Sequence, residues 1–369
     1  MLPLGARFRA PAMWDTTNRL SDAALPLAAA YAGVTYLREA LAAVPFRADA
    51  PVVCVGSALV GGACKTPLAL SILSRISQWR RAPIVHALGS GYGGSERGPL
   101  RVRLGEHTAA AVGDEALLLA RAAPTWVGAQ RRASAAAACA DGAELLLMDD
   151  GLQHTGLGRD LSLLCLDESY LLGNGRVLPA GPLREPFGRT LGRSDAVVTV
   201  SPPPARSVGT AAARGASDAA LRLQLGLPSH LPLLRASLEP EAAAADAIAG
   251  RRVLAFSGTA RPRRFFDTLR GLGCTFAAPP RPLPDHAPLG AALLHELRAE
   301  ADAADAVLVT TSKDAARLPA EQLTGVRVLP VRLSWREGDG EALDRMLGQL
   351  LGLAPRVERR VGQLKYGVY

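Results

Sequence analysis

The sequence predicts an α/β protein: a mostly parallel sheet with helices on both faces, a second, smaller α/β unit after it, and an apolar helix ahead of both. Three observations carry this. Short unbroken apolar runs, "PVVCVG" at 51–56, "APIVHAL" at 82–88, "AELLLMDD" at 143–150, "LSLLCLD" at 161–167 and "DAVVTV" at 195–200, alternate with helical patterns, as strands buried on both faces of a parallel sheet do. The stretch "SPPPARSVGTAAARGASD" at 201–218, rich in Pro, Ser, Gly and Ala, interrupts that alternation. Beyond it strand-like runs return at "RRVLAFSG" from 251, "DAVLVTTSKD" from 305 and "GVRVLPVRL" from 325. The chain therefore divides into an N-terminal segment (1–45), a first α/β domain (46–200), a connection (201–235), a second α/β domain (236–345) and a C-terminal tail (346–369).

The composition, 49% hydrophobic, 21% charged and 5% aromatic, excludes disordered, collagenous and polytopic classes. A formal charge of +8, with Arg far outnumbering Lys, suits a polyanionic partner such as nucleotide phosphates or anionic lipid. The basic residues are scattered and not interleaved with aromatics, which argues against nucleic acid. Cys54, Cys64, Cys139, Cys165 and Cys274 are odd in number and never form a C-x-x-C pair, so neither a disulfide framework nor a zinc site is expected.

In the N-terminal segment, "AALPLAAAYAGVTYL" at 23–37 is uncharged but stops at Arg38-Glu39, short of the roughly 20 residues a spanning helix needs. Asp15 and Asp22 interrupt what a signal peptide would keep basic. The segment reads as a retained helix, either packed on its own domain or lying in a lipid interface with Trp14, Tyr31 and leucines inward and arginines beside them.

The first strand opens a glycine turn and then a helix: "VVCVGSALVGGACKTPLAL" at 52–70. This is P-loop NTPase-like. Gly61, Gly62, Ala63 and Cys64 would form the turn, Lys65 would reach β- and γ-phosphates, the Thr66 hydroxyl would ligate Mg²⁺, and the helix from Pro67 would offer its first N–H groups to anionic oxygens. Cys64 stands where the pattern G-x-x-x-x-G-K-[ST] wants glycine, and a left-handed backbone there would cost about 1–2 kcal/mol. The strand of "LLLMDDGLQH" at 145–154 ends in Asp149-Asp150, carboxylates placed at the sheet edge where ligands bind. "GSGYGG" at 89–94 matches G-x-G-x-x-G, but no helix pattern follows, so it reads as a wall of the site and not as a dinucleotide fingerprint. Asp114-Glu115 in "VGDEALLLA" sit at a helix start, where Asp114 is either an N-cap or a functional carboxylate.

In this order, "VGGACKTP", "GYGG", "GDEALLLA", "DDGLQH", "GNGRVLPAGPLREP", "FSGTARPRRFF", "PDH" and "TSKDAARL" resemble the blocks of the tetraacyldisaccharide 4′-kinase family, over most of the chain. "DDGLQH" followed by "LPAGPLREP" is the most specific of them. The resemblance implies transfer of the ATP γ-phosphate to the 4′-hydroxyl of a tetraacylated disaccharide 1-phosphate in lipid A biosynthesis, with ATP and Mg²⁺ as cofactors. It implies catalytic Asp114, His286 and Lys65, with Asp114 as base on the sugar hydroxyl and His286 its partner. It implies metal binding by Thr66, Glu115, Asp149 and Asp150, and a lipid-sugar pocket lined by Gln153, His154, Arg176 and Arg184, the last gripping the 1-phosphate. The apolar N-terminal helix would associate with the cytoplasmic leaflet of the inner membrane. Departures from the family pattern fall at Ser57 (Asn in the family), Cys64 (Gly), Ser90 (Arg) and Ala287 (His). Those at Cys64 and Ser90 leave open one rival reading, a silent relative that binds nucleotide or lipid; a second rival, in which the N-terminal helix serves only for packing, is a P-loop kinase or ATPase with a soluble substrate.

Overall fold

The computed structural model describes residues 11–61, 64–203, 217–286 and 289–353. Its centre is β1 (Val52–Gly56), whose residues are buried on both sides: Val53 and Val55 join one apolar layer, Val52 and Cys54 the opposite one. A strand so flanked needs covering on two faces, which is why the alternating pattern builds three layers.

Chain order gives β2 (Val85–Gly89), β3 (Leu100–Arg101), β4 (Thr125–Val127), β5 (Leu145–Asp149), β6 (Leu161–Asp167), β7 (Ala196–Ser201) and β8 (Leu233–Pro240). The inserted unit holds β9 (Arg252–Ser257), β10 (Thr275–Phe276), β11 (Arg281–Pro282), β12 (Val307–Thr311) and β13 (Val326–Leu329), and the last strand is β14 (Val331–Trp335). The large sheet runs β14-β8-β7-β6-β1-β5-β2-β4-β3 and is parallel except at its two edge pairs, β14–β8 and β3–β4. The smaller sheet runs β10-β9-β12-β13, with β11 also on β9, all parallel. In register, Val55 lies opposite Asp149, so the turn leaving β1 emerges beside the carboxylates that end β5.

Strand pairing draws the domains differently from the expected 46–200 and 236–345. β8 pairs with β7 and β14 with β8, so both belong to the large sheet. The helix Asp339–Leu350 buries Leu343 and Leu347 in the same core layer as Val53 and Val55. The smaller unit is thus an insertion between two neighbouring strands. Its exit is set by Pro330, which cuts "GVRVLPVRL" in two: a proline has no N–H for either ladder, and the chain crosses between sheets there.

The N-terminal helix Leu25–Ala40 is present and buries only Ala28, while Leu27, Val34, Leu37 and Leu41 are more than half exposed. It is anchored at both ends. Trp14 is buried and its Nε1 donates to Pro179 O at 2.9 Å, and Glu39 pairs with Arg189 and Arg193 at 2.6 and 2.9 Å. Among the described residues no helix is long and apolar enough to cross a membrane.

Candidate active site

The phosphate-loop helix Lys65–Ile76 begins immediately after Cys64, whose backbone is left-handed (φ 61°, ψ 23°). The conformation that a glycine would adopt without strain is therefore occupied by a side chain, and Arg264 Nη1 donates to its Sγ at 2.8 Å. Burial pushes the Cys64 thiol up to about 11, against the pull of Arg264, so it is an inert thiol. Gly61 also has a positive φ, 91°, a conformation that favours glycine, while Gly62 and Ala63 lie outside the described residues.

Lys65 and Thr66 meet the carboxylates that end β5. Lys65 Nζ is 2.8 Å from Asp150 Oδ2, and Thr66 Oγ1 donates to Asp149 Oδ2 at 2.9 Å. Asp149 is buried, and among the described residues its Oδ1 has no hydrogen-bond partner. Burial, then the charge of Glu115, raise its pKa to about 7 despite Lys65 and Thr66. Burial would also raise Asp150, but Lys65 and Arg184 outweigh it and hold that carboxylate well below the ordinary range. A buried hydroxyl beside a carboxylate with one unsatisfied oxygen is a donor set that suits Mg²⁺, which takes few protein oxygens and keeps its waters.

On the facing side, Asp114 opens the helix Asp114–Ala120 as its first residue, with Gly113 in the cap position, so it is not an N-cap. Its Oδ1 accepts from Glu115 N at 2.8 Å, and its Oδ2 lies 3.0 Å from His286 Nδ1 and 3.1 Å from Arg317 Nε. Burial pushes Asp114 up, but His286, Lys313 and Arg317 outweigh it and hold the pKa below the usual carboxylate value. His286 comes from the loop after β11, in the inserted unit, and the Tyr92 ring of the "GYGG" loop meets it edge-on at 5.1 Å. The glycine loop is thus a wall of the site.

Glu115 Oε1 is 3.2 Å from Lys313 Nζ, which also approaches His286 Nε2 at 3.2 Å. Asp114, Glu115 and His286 bring ligand atoms within 4.8 Å of one another, but the Lys313 ammonium already neutralises that cluster. Glu115 reaches the Thr66–Asp149 pair through its charge and not through a contact.

The expected substrate residues separate. Arg184 forks onto Asp150 with both terminal nitrogens (2.8 and 2.9 Å) and also donates to Gln153 Oε1 at 3.2 Å. Gln153 Nε2 donates to Ser57 O at 3.0 Å. Arg176 pairs instead with Asp22 at 2.6 Å and donates to Ser21 Oγ at 2.8 Å, holding the N-terminal segment. His154 Nδ1 accepts from Gly156 N at 3.2 Å, and burial, then Arg131, Arg159 and Arg38, lower its pKa to about 4, so the ring is neutral. Gln153 and Arg184 line a cleft of about 280 Å³ whose other wall is the N-terminal helix, with Tyr31, Thr35 and Arg38. Ser90, where the family pattern has Arg, accepts from Tyr92 N.

Several residues of the site were not singled out from sequence: Lys313 and Arg317, which close on Asp114 and Glu115, and Arg261 and Arg264, which pair with Asp167 at 3.2 and 2.9 Å beside the phosphate loop. A signal existed for Lys313. In a chain with 42 basic residues, only Lys65, Lys313 and Lys365 are lysines.

A glycine turn between parallel strand and helix, with Lys65 and Thr66 on the carboxylates of the adjacent strand, defines a P-loop phosphotransferase fold and site. The model of the tetraacyldisaccharide-1-P 4′-kinase family matches residues 20–351, and the chain belongs to that family. It is 46% identical over 348 residues to the tetraacyldisaccharide 4′-kinase of Rhodospirillum centenum, covering 93% of this chain and 97% of that one. It is 43% identical over 327 residues to that of Paramagnetospirillum magneticum, covering 89% and 94%. A solved structure of LpxK from Aquifex aeolicus, described as an apo form in complex with ATP, shares the fold with a TM-score of 0.67 and 23% identity, over 90% of this chain and 99% of that one.

Proposed function

We propose that this protein transfers the γ-phosphoryl group of ATP to the 4′-hydroxyl of a tetraacyldisaccharide 1-phosphate, in the synthesis of lipid A. The observation that carries the reading is the Asp114–His286 pair, 3.0 Å apart, built from two different units and facing a phosphate loop whose Thr66 is bonded to Asp149.

Phosphoryl transfer proceeds mostly by positioning and charge neutralisation through a loose transition state. Lys65, paired with Asp150 in the resting protein, turns to the incoming phosphates, and Asp150 keeps its second cation, Arg184. Thr66 and Asp149 would hold Mg²⁺, which supplies neutralisation of the phosphate oxygens when bound. Asp114 accepts a hydrogen bond from the 4′-hydroxyl and takes its proton late, as the new P–O bond forms and the bond to ADP breaks. A carboxylate with a depressed pKa suits that task, because a loose transition state asks little basicity of its acceptor.

The cleft between Gln153, Arg184 and the N-terminal helix receives the sugar head group, with Arg38 as a further cation. Its outer rim continues into the exposed Leu27, Val34, Leu37 and Leu41 face, which lies in the lipid surface on the cytoplasmic side of the inner membrane. Because Arg176 and Trp14 anchor the segment, deletion would disturb the fold; Leu27→Asp with Val34→Asp tests the surface alone. That double variant should lose binding to anionic vesicles, and undiminished binding would favour packing as the helix's only role.

The activity test uses γ-labelled ATP and the tetraacyl acceptor. Label in the lipid, lost in Asp114→Asn, is the expected result. No label with nucleotide binding intact would favour a silent relative, the reading that Cys64 motivates.

A further inference from the structure

Lys65 has its place at the phosphate loop; the other described lysine, Lys313, has none in the mechanism above. It sits in the short helix Ser312–Ala315 of the inserted unit, with its ammonium 3.2 Å from Glu115 Oε1, 3.2 Å from His286 Nε2 and 3.6 Å from Asp285 Oδ1. Burial would discharge it, but Glu115, Asp114 and Asp285 outweigh that and raise its pKa, so it stays an ammonium.

An ammonium offers three donors and no lone pair. Its contact with His286 is a hydrogen bond only when Nε2 supplies the lone pair. The ring proton then stands on Nδ1, the nitrogen 3.0 Å from Asp114 Oδ2.

We propose that Lys313 is a positioning residue for phosphoryl transfer: by keeping His286 Nε2 an acceptor, it fixes the tautomer that carries its proton on Nδ1, 3.0 Å from Asp114 Oδ2, and so keeps a donor beside the carboxylate that receives the sugar hydroxyl. The proposal rests on the reading of Asp114 as acceptor of the hydroxyl proton. Among the described residues the groups that face the His286 ring are Asp114 at Nδ1, Lys313 and Asp285 at Nε2, the latter with Oδ2 at 3.7 Å, the Glu115 carboxylate within 4.8 Å, and the edge-on Tyr92 ring. Without Lys313, Asp285 Oδ2 is the acceptor nearest Nε2, and the ring changes tautomer to donate there, which withdraws the proton from Nδ1.

The test is a long-range ¹H–¹⁵N spectrum of the full-length protein with ¹⁵N-labelled histidine, free of nucleotide, His286 being assigned by comparison with His286→Gln. Wild type should show Nδ1 protonated and Nε2 bare. Lys313→Met should show Nε2 protonated, with kcat for the labelled transfer lowered by about tenfold or more and KM for ATP changed by less than about twofold. A protonated Nε2 in wild type, or a ring unchanged in Lys313→Met, overturns the proposal; the wild-type spectrum decides even when the variant folds poorly. Asp114→Asn with undiminished transfer would end the reading of Asp114 as proton acceptor and leave the His286 ring state standing, so the two failures are distinct.

Discussion

Replacing Cys64 by glycine and, in parallel, by alanine separates strain from contact at the phosphate loop. The left-handed backbone at φ 61° costs an L-residue about 1–2 kcal/mol relative to glycine. The Arg264 Nη1 to Cys64 Sγ hydrogen bond returns about 1 kcal/mol. Cys64→Ala loses the bond and keeps the strain, so it should be less stable by about 1 kcal/mol. Cys64→Gly loses the bond and the strain together but loosens the unfolded chain by roughly 0.4–1 kcal/mol, which leaves it near wild type. Glycine should therefore exceed alanine at this position by about 0.5–1 kcal/mol, the reverse of their order inside a helix. For nucleotide, the Sγ bond no longer has to break for Arg264 to turn toward a phosphate, a gain of about 1 kcal/mol or fivefold in Kd. Thermal unfolding of both variants, with calorimetric titration of a non-hydrolysable ATP analogue, reads both numbers. Alanine more stable than glycine, or weaker analogue binding by Cys64→Gly, would show that backbone strain at Cys64 and its bond to Arg264 do not act on the loop in this way.

Two further outcomes follow from the carboxylates of β5. Burial and Glu115 raise Asp149 to about 7, so its contribution to stability is complete below the ordinary carboxylate pKa of 3.8 and is lost as pH rises through about 7. In nucleotide-free and metal-free protein, Asp149→Asn should gain on wild type across that interval; parallel melting curves would contradict this. Asp150→Asn strips Lys65 and Arg184 of their shared partner and should cost about 2–3 kcal/mol, less than a fully buried pair because 24% of the Asp150 side chain is exposed. The Asp150 pKa is depressed because Lys65 and Arg184 outweigh burial, so the wild-type advantage is present above the ordinary carboxylate range and disappears as pH falls below it, which acid titration of both proteins measures.

The sequence resolved what local pattern controls. β1, β5, β6 and β7 are continuous apolar runs because each is buried on both faces, and Lys65, Thr66 and Asp149 were legible because a strand, a glycine turn and a helix put them at one sheet edge. What periodicity does not encode is which sheet a strand joins. The pattern splits β8 between the connection and the second domain, and runs β14 on from β13 although only Pro330 marks the crossing. The same limit hid the closure of the inserted unit on the first. Arg264 meets Cys64 and Asp167, and Arg317 meets Asp114, across sequence separations that no local signal spans. Arg184 shows the converse. Its guanidinium, expected on the 1-phosphate, forks onto the Asp150 carboxylate in the resting protein, a competition visible only once both side chains have positions.

The most direct test of the account is a structure with a non-hydrolysable ATP analogue, Mg²⁺ and the tetraacyl acceptor bound together. The 4′-hydroxyl should lie within about 2.6–3.2 Å of the Asp114 carboxylate, with Lys65 turned from Asp150 to the phosphates. An acceptor hydroxyl out of reach of Asp114, with Lys65 still on Asp150 beside a bound triphosphate, would contradict it.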